Sequence, residues 1–227
     1  MRSAVVLLSG GIDSATCLAW ARREGYSAHA LTVDYGQRHA IEIERAATLA
    51  QVLGAASHRI VSVDLTFLSG SALTDRSVAV PKTRSAFEMA SGVPTTYVPA
   101  RNTVLLSLAL AWGEALGARD LVIGVNAVDY SGYPDCRPAF LRAFETLAVC
   151  GTRAGADGEA WRIHAPLVDL SKAEIILRAA AWGVPYASTL SCYDPGVAGA
   201  PCGGCDACLI RARGFREAGL EDAAPDG

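Results

Sequence analysis

The chain has 227 residues, 51% of them hydrophobic and 19% charged, with a formal net charge of −3. That is too apolar for a disordered chain and ample for one packed domain with a small appendage. A pI near 5.8 argues against a broad electrostatic grip on nucleic acid, and apolar runs such as Val104 to Trp112 are too short to span a bilayer. Arg2 is the one charged residue before the first apolar run and no small-residue cleavage site follows, so a cytoplasmic location without a signal peptide is expected. Seven cysteines in a reducing compartment point to a metal or to chemistry rather than to disulfides.

The predicted elements alternate. Ala4–Ser9 is a continuous apolar run, the pattern of a central parallel strand. Ser14–Glu24 reads as a helix closed by Gly25. Ala28–Tyr35 is a second strand. His39–Leu53 is a helix with Ala46, Leu49, Ala50 and Leu53 on one face. Arg59–Leu65 is a third strand. Residues 66–101 show no period, the mark of either a binding loop or loose surface. Asn102–Leu116 is an apolar helix ended by Gly117, Asp120–Val125 a fourth strand, and 126–136 a polar loop. Pro138–Val149 is a helix and Trp161–Ala165 a fifth strand. Ser171–Trp182 is a helix opened by a Ser171/Glu174 capping box, and a last helix spans Asp206–Ala218. The expectation is an α/β fold: a doubly wound parallel sheet of about five strands with helices on both faces. Residues 1–185 are read as the catalytic domain, 186–219 as a cysteine-rich segment packed on it, and 220–227 as an acidic tail.

Ligands of such sheets bind at the carboxyl ends of the strands, and the motifs fall there. The first strand runs into Ser9-Gly10-Gly11-Ile12-Asp13-Ser14 and then at once into a helix. Two glycines allow a sharp turn, the helix start presents unpaired N–H groups, and two serines add hydroxyls; together they make a nest for a polyphosphate. No Gly-Lys dipeptide and no G-x-G-x-x-G occurs, so neither a Walker A loop nor a dinucleotide fingerprint is indicated.

Cys192, Cys202, Cys205 and Cys208 form a second constellation, the last three spaced C-x2-C-x2-C. This suits a closed, tetrahedral structural zinc site. An iron–sulfur cluster and plain reduced thiols are the competing readings. Cys17 and Cys150 are expected in the core. Cys136, in a polar loop beside Arg137, is a candidate nucleophile.

A third set of loops carries recognition chemistry. Asp34-Tyr35-Gly36-Gln37-Arg38-His39-x-x-Glu42 leaves the second strand, and Val98-Pro99-Ala100-Arg101-Asn102 opens a helix. There Arg101 is suited to neutralising phosphate charge and Asn102 to capping the helix. In 126–138, Tyr133 offers a ring face, and Asp129 or Asp135 an acceptor for a guanine-like edge. Lys172, at a helix start, is either placed to reach a phosphate or a solvated helix residue. Arg211, Arg213 and Arg216 read as a solvated helix face.

Ser9–Ser14 resembles the SGGxDS signature of the ATP pyrophosphatase (PP-loop) superfamily, with its adenine-nucleotide-hydrolase-like fold. SGGxDS, DYGQRHxxE, VPxRN, SGYPDCRP, PLxxLSK and SCY…CxxCxxC occur in that order from Val5 to Arg213. The combination resembles the 7-cyano-7-deazaguanine synthase family of the queuosine pathway. The resemblance implies a carbon–nitrogen ligase that takes 7-carboxy-7-deazaguanine, ammonia and two ATP with Mg2+ through an adenylated acid and an adenylated amide to the nitrile. It implies ATP contacts within Leu8, Ser9, Gly10, Gly11, Ile12, Asp13, Ser14, Ala15, Thr16, Cys17 and Leu18. Catalytic roles are expected for Lys172, Arg101 and Asp135, and substrate contacts for Tyr35, Gln37, Arg38, Asp129, Tyr133, Asp135 and Arg137. It further implies one structural zinc on Cys192, Cys202, Cys205 and Cys208, and a homodimer with no nucleic-acid or membrane partner. Two positions depart from the family pattern: Ala15 stands where threonine is usual and Ala139 where an acid is common. The rival readings are a PP-loop tRNA thiolase carrying an iron–sulfur cluster, and a non-catalytic ATP-binding sensor.

Overall fold

The computed structural model describes residues 2–38, 41–89, 91–127, 132–196 and 199–223. Five parallel strands form one sheet in these residues: β1 (Ser3–Leu7), β2 (Ser27–Asp34), β3 (Ser57–Ser62), β4 (Asp120–Val122) and β5 (Arg162–His164), in the order β3-β2-β1-β4-β5. The registers are set by Ser3 opposite Ser27, His29 opposite Ser57, Ala4 opposite Asp120 and Asp120 opposite Arg162. Helices α1 (Ile12–Arg23), α2 (Ile41–Val52), α4 (Arg101–Leu116), α5 (Pro138–Gly151), α7 (Lys172–Ala181) and α8 (Asp206–Ala218) surround it, with two single turns, α3 (Ala86–Met89) and α6 (Arg153–Ala156). The expected doubly wound α/β architecture is what forms. β3 ends at Ser62 and β4 at Val122, each three residues earlier than the apolar pattern suggested.

The strand alternation explains the two-sided core. On β1, Ala4 and Val6 pack against one cluster with α1, α2 and α7, while Val5 and Leu7 pack against another with α4 and α5. A strand buried on both faces must be apolar throughout, which is why residues 4–8 carry no polar side chain. Fully buried leucines such as Leu106 and Leu121 each contribute about 1.5–3 kcal/mol relative to exposure. The capping box of α7 forms as expected: Ser171 accepts from the Glu174 N–H, and the Glu174 carboxylate accepts from the Ser171 N–H at 2.8 Å.

The segment 66–100 is not loose surface. The Ala72 N–H donates to Thr95 O, and Leu73 O accepts from the Arg38 N–H. Lys82 makes an antiparallel bridge with Cys205, and the Thr83 N–H donates to Gly204 O at 2.7 Å. Ala72 and Val80 share a small apolar cluster with Leu190, Cys192, Cys205 and Cys208. The irregular segment is thus the wall on which the cysteine-rich segment leans.

Candidate active site

In the order 3-2-1-4-5 the chain winds outward in both directions from β1 and β4, so the carboxyl ends of these two strands diverge and leave a crevice. A cavity of about 250 Å3 fills it. Its floor is Leu7, Leu8 and Ser9 after β1 and Ile123, Gly124 and Val125 after β4.

The turn into α1 is folded on itself. Ser14 Oγ donates to Gly11 O at 3.0 Å and accepts from the Ser9 N–H at 3.1 Å, and the two serine hydroxyls lie 3.2 Å apart. Gly10 has φ +88°, and a Cβ there would sit 2.4 Å from Glu42 O, so this glycine serves the packing of the turn against α2. At Gly11 a Cβ would meet Leu190 O at 3.5 Å, Ser9 Oγ at 3.6 Å and Ser191 Oγ at 4.0 Å, all ordinary contacts; this is the glycine of the pair that lines the cavity. On the other side a Cβ on Gly124 would lie 3.2 Å from the Ser14 N–H nitrogen, so β4 closes tightly on the start of α1. The result is a closed ring of turn residues at the N-terminus of α1, the kind of helix end suited to phosphate oxygens.

Asp13 binds this ring to the rest of the site. Both its oxygens accept from Lys172 Nζ, at 2.7 and 2.6 Å, and one accepts from Asn126 Nδ2 at 3.0 Å. Lys172 is therefore not a solvated helix residue. Arg101 reaches the opposite wall, where Nη1 donates to the Tyr35 hydroxyl at 3.3 Å. Burial raises the Tyr35 phenol, with Arg101 opposing, so Tyr35 is a neutral hydrogen-bonding group. Gln37 Oε1 accepts from the Tyr35 N–H, and Tyr133 shares a 2.8 Å hydrogen bond with Thr96.

Of the ATP-loop residues expected from sequence, Leu8, Ser9, Gly11, Ile12, Asp13 and Ser14 line the cavity. Ala15, Thr16, Cys17 and Leu18 do not; they are buried within α1. Thr16 Oγ1 donates to Ile12 O, and burial pushes the Cys17 thiol up, with Asp13 adding to the effect. Ala15 lies in the core cluster, and Ala139 is exposed, so neither departure removes a cavity side chain.

Tyr35, Gln37, Tyr133, Arg101 and Lys172 are brought together around the cavity. Three others are placed elsewhere. Asp135 is buried and caps α4: its Oδ2 accepts from the Asn102 N–H at 2.9 Å, while Asn102 Nδ2 donates to Asp135 O. Asn102 is thus not the cap. That place is held by Ala100, in a left-handed conformation, and the capping acceptor comes from a distant loop. Arg38 turns away, donating to Val78 O at 2.9 Å and pairing with Asp194 at 3.7 Å. Arg137 is exposed at the start of α5. Asp129 lies outside the described residues. Cys136 is not in an open polar loop; it is buried in the cavity wall, with Asn102 Nδ2 3.2 Å from its sulfur. Cys150 is exposed rather than in the core.

Sequence reasoning passed over Asn126, Ser191 and Arg211, all of which line the cavity. Asn126 directly follows the end of the fourth predicted strand, a position that signals a site. Arg211 was grouped with Arg213 and Arg216 as solvated, but it is only 6% exposed. Nothing local in the sequence separates the three.

Beside the cavity, the sulfurs of Cys192, Cys202, Cys205 and Cys208 all lie within 4.8 Å of one another, a set able to hold one metal ion. The Cys202 and Asp194 N–H groups point at Cys192 Sγ (3.2 and 3.4 Å), and the Cys205 N–H at Cys202 Sγ. Thiols this close compete for charge. The Cys192 and Cys208 groups hold Cys205 down as a thiolate and are themselves pushed up, Cys192 to about 12. The Leu190 N–H, two residues before the first cysteine, donates to Gly10 O at 3.0 Å and ties the segment to the phosphate loop.

Residues 3–219 match the family described as queuosine biosynthesis protein QueC. The chain belongs to this family. Among its QueC-family relatives, the 7-cyano-7-deazaguanine synthase of Anaeromyxobacter sp. (strain Fw109-5) is 63% identical over 97% of this chain and 94% of that one. The synthase of Anaeromyxobacter dehalogenans (strain 2CP-C) is 62% identical over the same shares. A structure of NMN synthetase from Francisella tularensis superposes with a TM-score of 0.51 at 19% identity, covering 97% of this chain and 78% of that one. That likeness shows a shared fold. No helix among the described residues is long and apolar enough to cross a membrane.

Proposed function

We propose that this chain makes 7-cyano-7-deazaguanine from 7-carboxy-7-deazaguanine and ammonia, using two ATP. A carboxylate is a poor electrophile, so its oxygen is first adenylated with release of pyrophosphate. Ammonia displaces AMP and gives the amide. The amide oxygen is then adenylated by the second ATP, and loss of that oxygen with AMP leaves the nitrile. The observation that carries this reading is the pre-folded phosphate ring of Ser9–Ser14, tied through Asp13 to Lys172, in a chain of this family.

In this reading Ser9, Gly11 and Ser14 hold the pyrophosphate portion of ATP, and Lys172 and Arg101 balance charge as it moves from the α-phosphate to the leaving group. Magnesium arriving with ATP adds to that balance. Tyr35, Gln37 and Tyr133 line the side on which a flat purine-like ring fits. Asp135 acts by holding the start of α4, and with it Arg101, in place. One cavity serves both activations, provided that the amide stays bound between them.

The four cysteines are read as one structural zinc site. Zinc–sulfur bonds of about 2.3 Å in a tetrahedron put sulfurs about 3.8 Å apart, in keeping with the compact set. A cubic cluster would hold its thiolates at separate corners, farther apart. Four sulfurs leave no open coordination position, so the ion holds structure and takes no substrate. A cytoplasmic homodimer completes the reading. Free thiols suit a reducing compartment, and Phe67 and Phe87, 74% and 84% exposed, are apolar surface that a second copy would cover.

The test is a product assay with ATP, magnesium, ammonium and 7-carboxy-7-deazaguanine, following pyrophosphate and weighing the product. The nitrile with two ATP used per product is expected. Pyrophosphate release that stops at the amide would remove the second activation from this cavity, and no release from folded, metal-loaded protein would overturn the reading.

A further inference from the structure

We propose that Arg211 is a phosphate-contacting residue of the cavity, and that Asp222 is the counterion it exchanges for an incoming phosphate. The proposal rests on the reading of this cavity as a nucleotide site.

Arg211 lies on α8, and its guanidinium is almost wholly enclosed. Nε and Nη2 donate to the two oxygens of Asp222 at 2.6 and 2.7 Å, a bidentate pair. Nη1 points the other way, donating to Thr189 Oγ1 at 2.9 Å and lying 3.5 Å from Ser191 Oγ. That serine hydroxyl is also 4.0 Å from where a Cβ on Gly11 would stand. One hydroxyl therefore separates the guanidinium from the phosphate ring. Arg211 and Ser191 both line the cavity.

An enclosed guanidinium needs an anion. Asp222 supplies it from beyond α8 and is not among the residues that line the cavity. A phosphate in the ring would offer a second bidentate partner of higher charge. Lys172 and Arg101 already have partners within the cavity, Asp13 and Tyr35; Arg211 alone of the three takes its carboxylate from the chain's last described stretch. Its placement follows from the cysteine segment. Cys205 caps α8, Cys208 sits in its first turn, and Arg211 lies one turn on along the same face.

The experiment is calorimetric titration of the intact, metal-loaded chain with inorganic pyrophosphate, with adenosine as the phosphate-free control. Asp222→Asn removes the competing charge and is expected to tighten pyrophosphate binding about threefold to tenfold. Arg211→Met is expected to weaken it about tenfold or more, with Arg211→Lys recovering part of the loss. Adenosine binding should not move in any of them. Pyrophosphate affinities within twofold of wild type in folded Asp222→Asn and Arg211→Met would overturn the proposal and leave Arg211 as a clasp for the segment. If Arg211→Met does not fold, Asp222→Asn decides alone, because it keeps the arginine. A wild-type chain that binds no pyrophosphate would overturn the nucleotide reading itself.

Discussion

Gly10 and Gly11 are neighbours with different duties. At Gly10 an added methyl would meet the Glu42 carbonyl at 2.4 Å in a left-handed backbone conformation, and both the clash and the dihedral act against the fold. Each such strain costs about 1–3 kcal/mol, so Gly10→Ala is expected to lower the urea midpoint clearly and to lose pyrophosphate release with it. At Gly11 the methyl has ordinary contact room beside Leu190 and Ser191 but occupies the cavity side of the ring. Gly11→Ala is expected to leave the unfolding free energy from urea titration within about 1 kcal/mol of wild type while ATP affinity falls. Equal stability losses in the two variants would contradict this division.

Helix α4 shows how an element depends on chain far from it. In its first turn the Asn102 N–H is capped by Asp135, 33 residues on, and no local side chain caps the helix. Asp135→Ala removes the acceptor and is expected to cost about 0.5–2 kcal/mol. Because Arg101 opens this helix, turnover should fall as well, although Asp135 does not line the cavity. Asp135→Asn keeps a carbonyl oxygen for the Asn102 N–H and should recover most of both losses. A variant as inactive as Asp135→Ala but fully stable would instead assign the carboxylate to the chemistry. The β2–β3 edge has its own signature. His29 bonds Ser57, and His58 Nε2 donates to Thr32 Oγ1, whose single proton goes to Leu8 O. Burial lowers both imidazoles below their ordinary 6.5. The unfolded chain then takes up protons first as pH falls, so stability is kept above 6.5 and lost progressively below it. Urea midpoints at pH 7.5 and 5.5 should diverge less in a His29→Asn, His58→Asn double variant than in wild type.

At the scale of the molecule, the parallel sheet was legible because each β1 residue serves one of two cores, and that requirement leaves an unbroken apolar run. The phosphate ring was legible for a similar reason, since its geometry is local. The segment 66–100 was not, because its order comes from pairing with residues more than a hundred positions away, as Lys82 with Cys205 and Arg84 with Asp206 show. Arg211 was misread for a related reason: its burial is decided by partners outside its helix, Thr189 and Asp222, not by its neighbours on the helix. These long-range ties converge on the four cysteines. They hold the start of α8, the Lys82–Thr83 strap and, through Leu190, the Gly10 carbonyl of the phosphate ring. Stripping the proposed metal from these cysteines with a chelator should therefore loosen one connected unit. The expected result is a fall in Tm of several degrees or more and amide-exchange protection lost together at residues 82–83, 190 and 206–211. The strands β1 and β2, packed on both faces, should keep their protection. Cys205→Ser should reproduce the pattern without chelator. Loss confined to 192–208, with ATP affinity intact, would mean that the metal knuckle and the phosphate ring are independent.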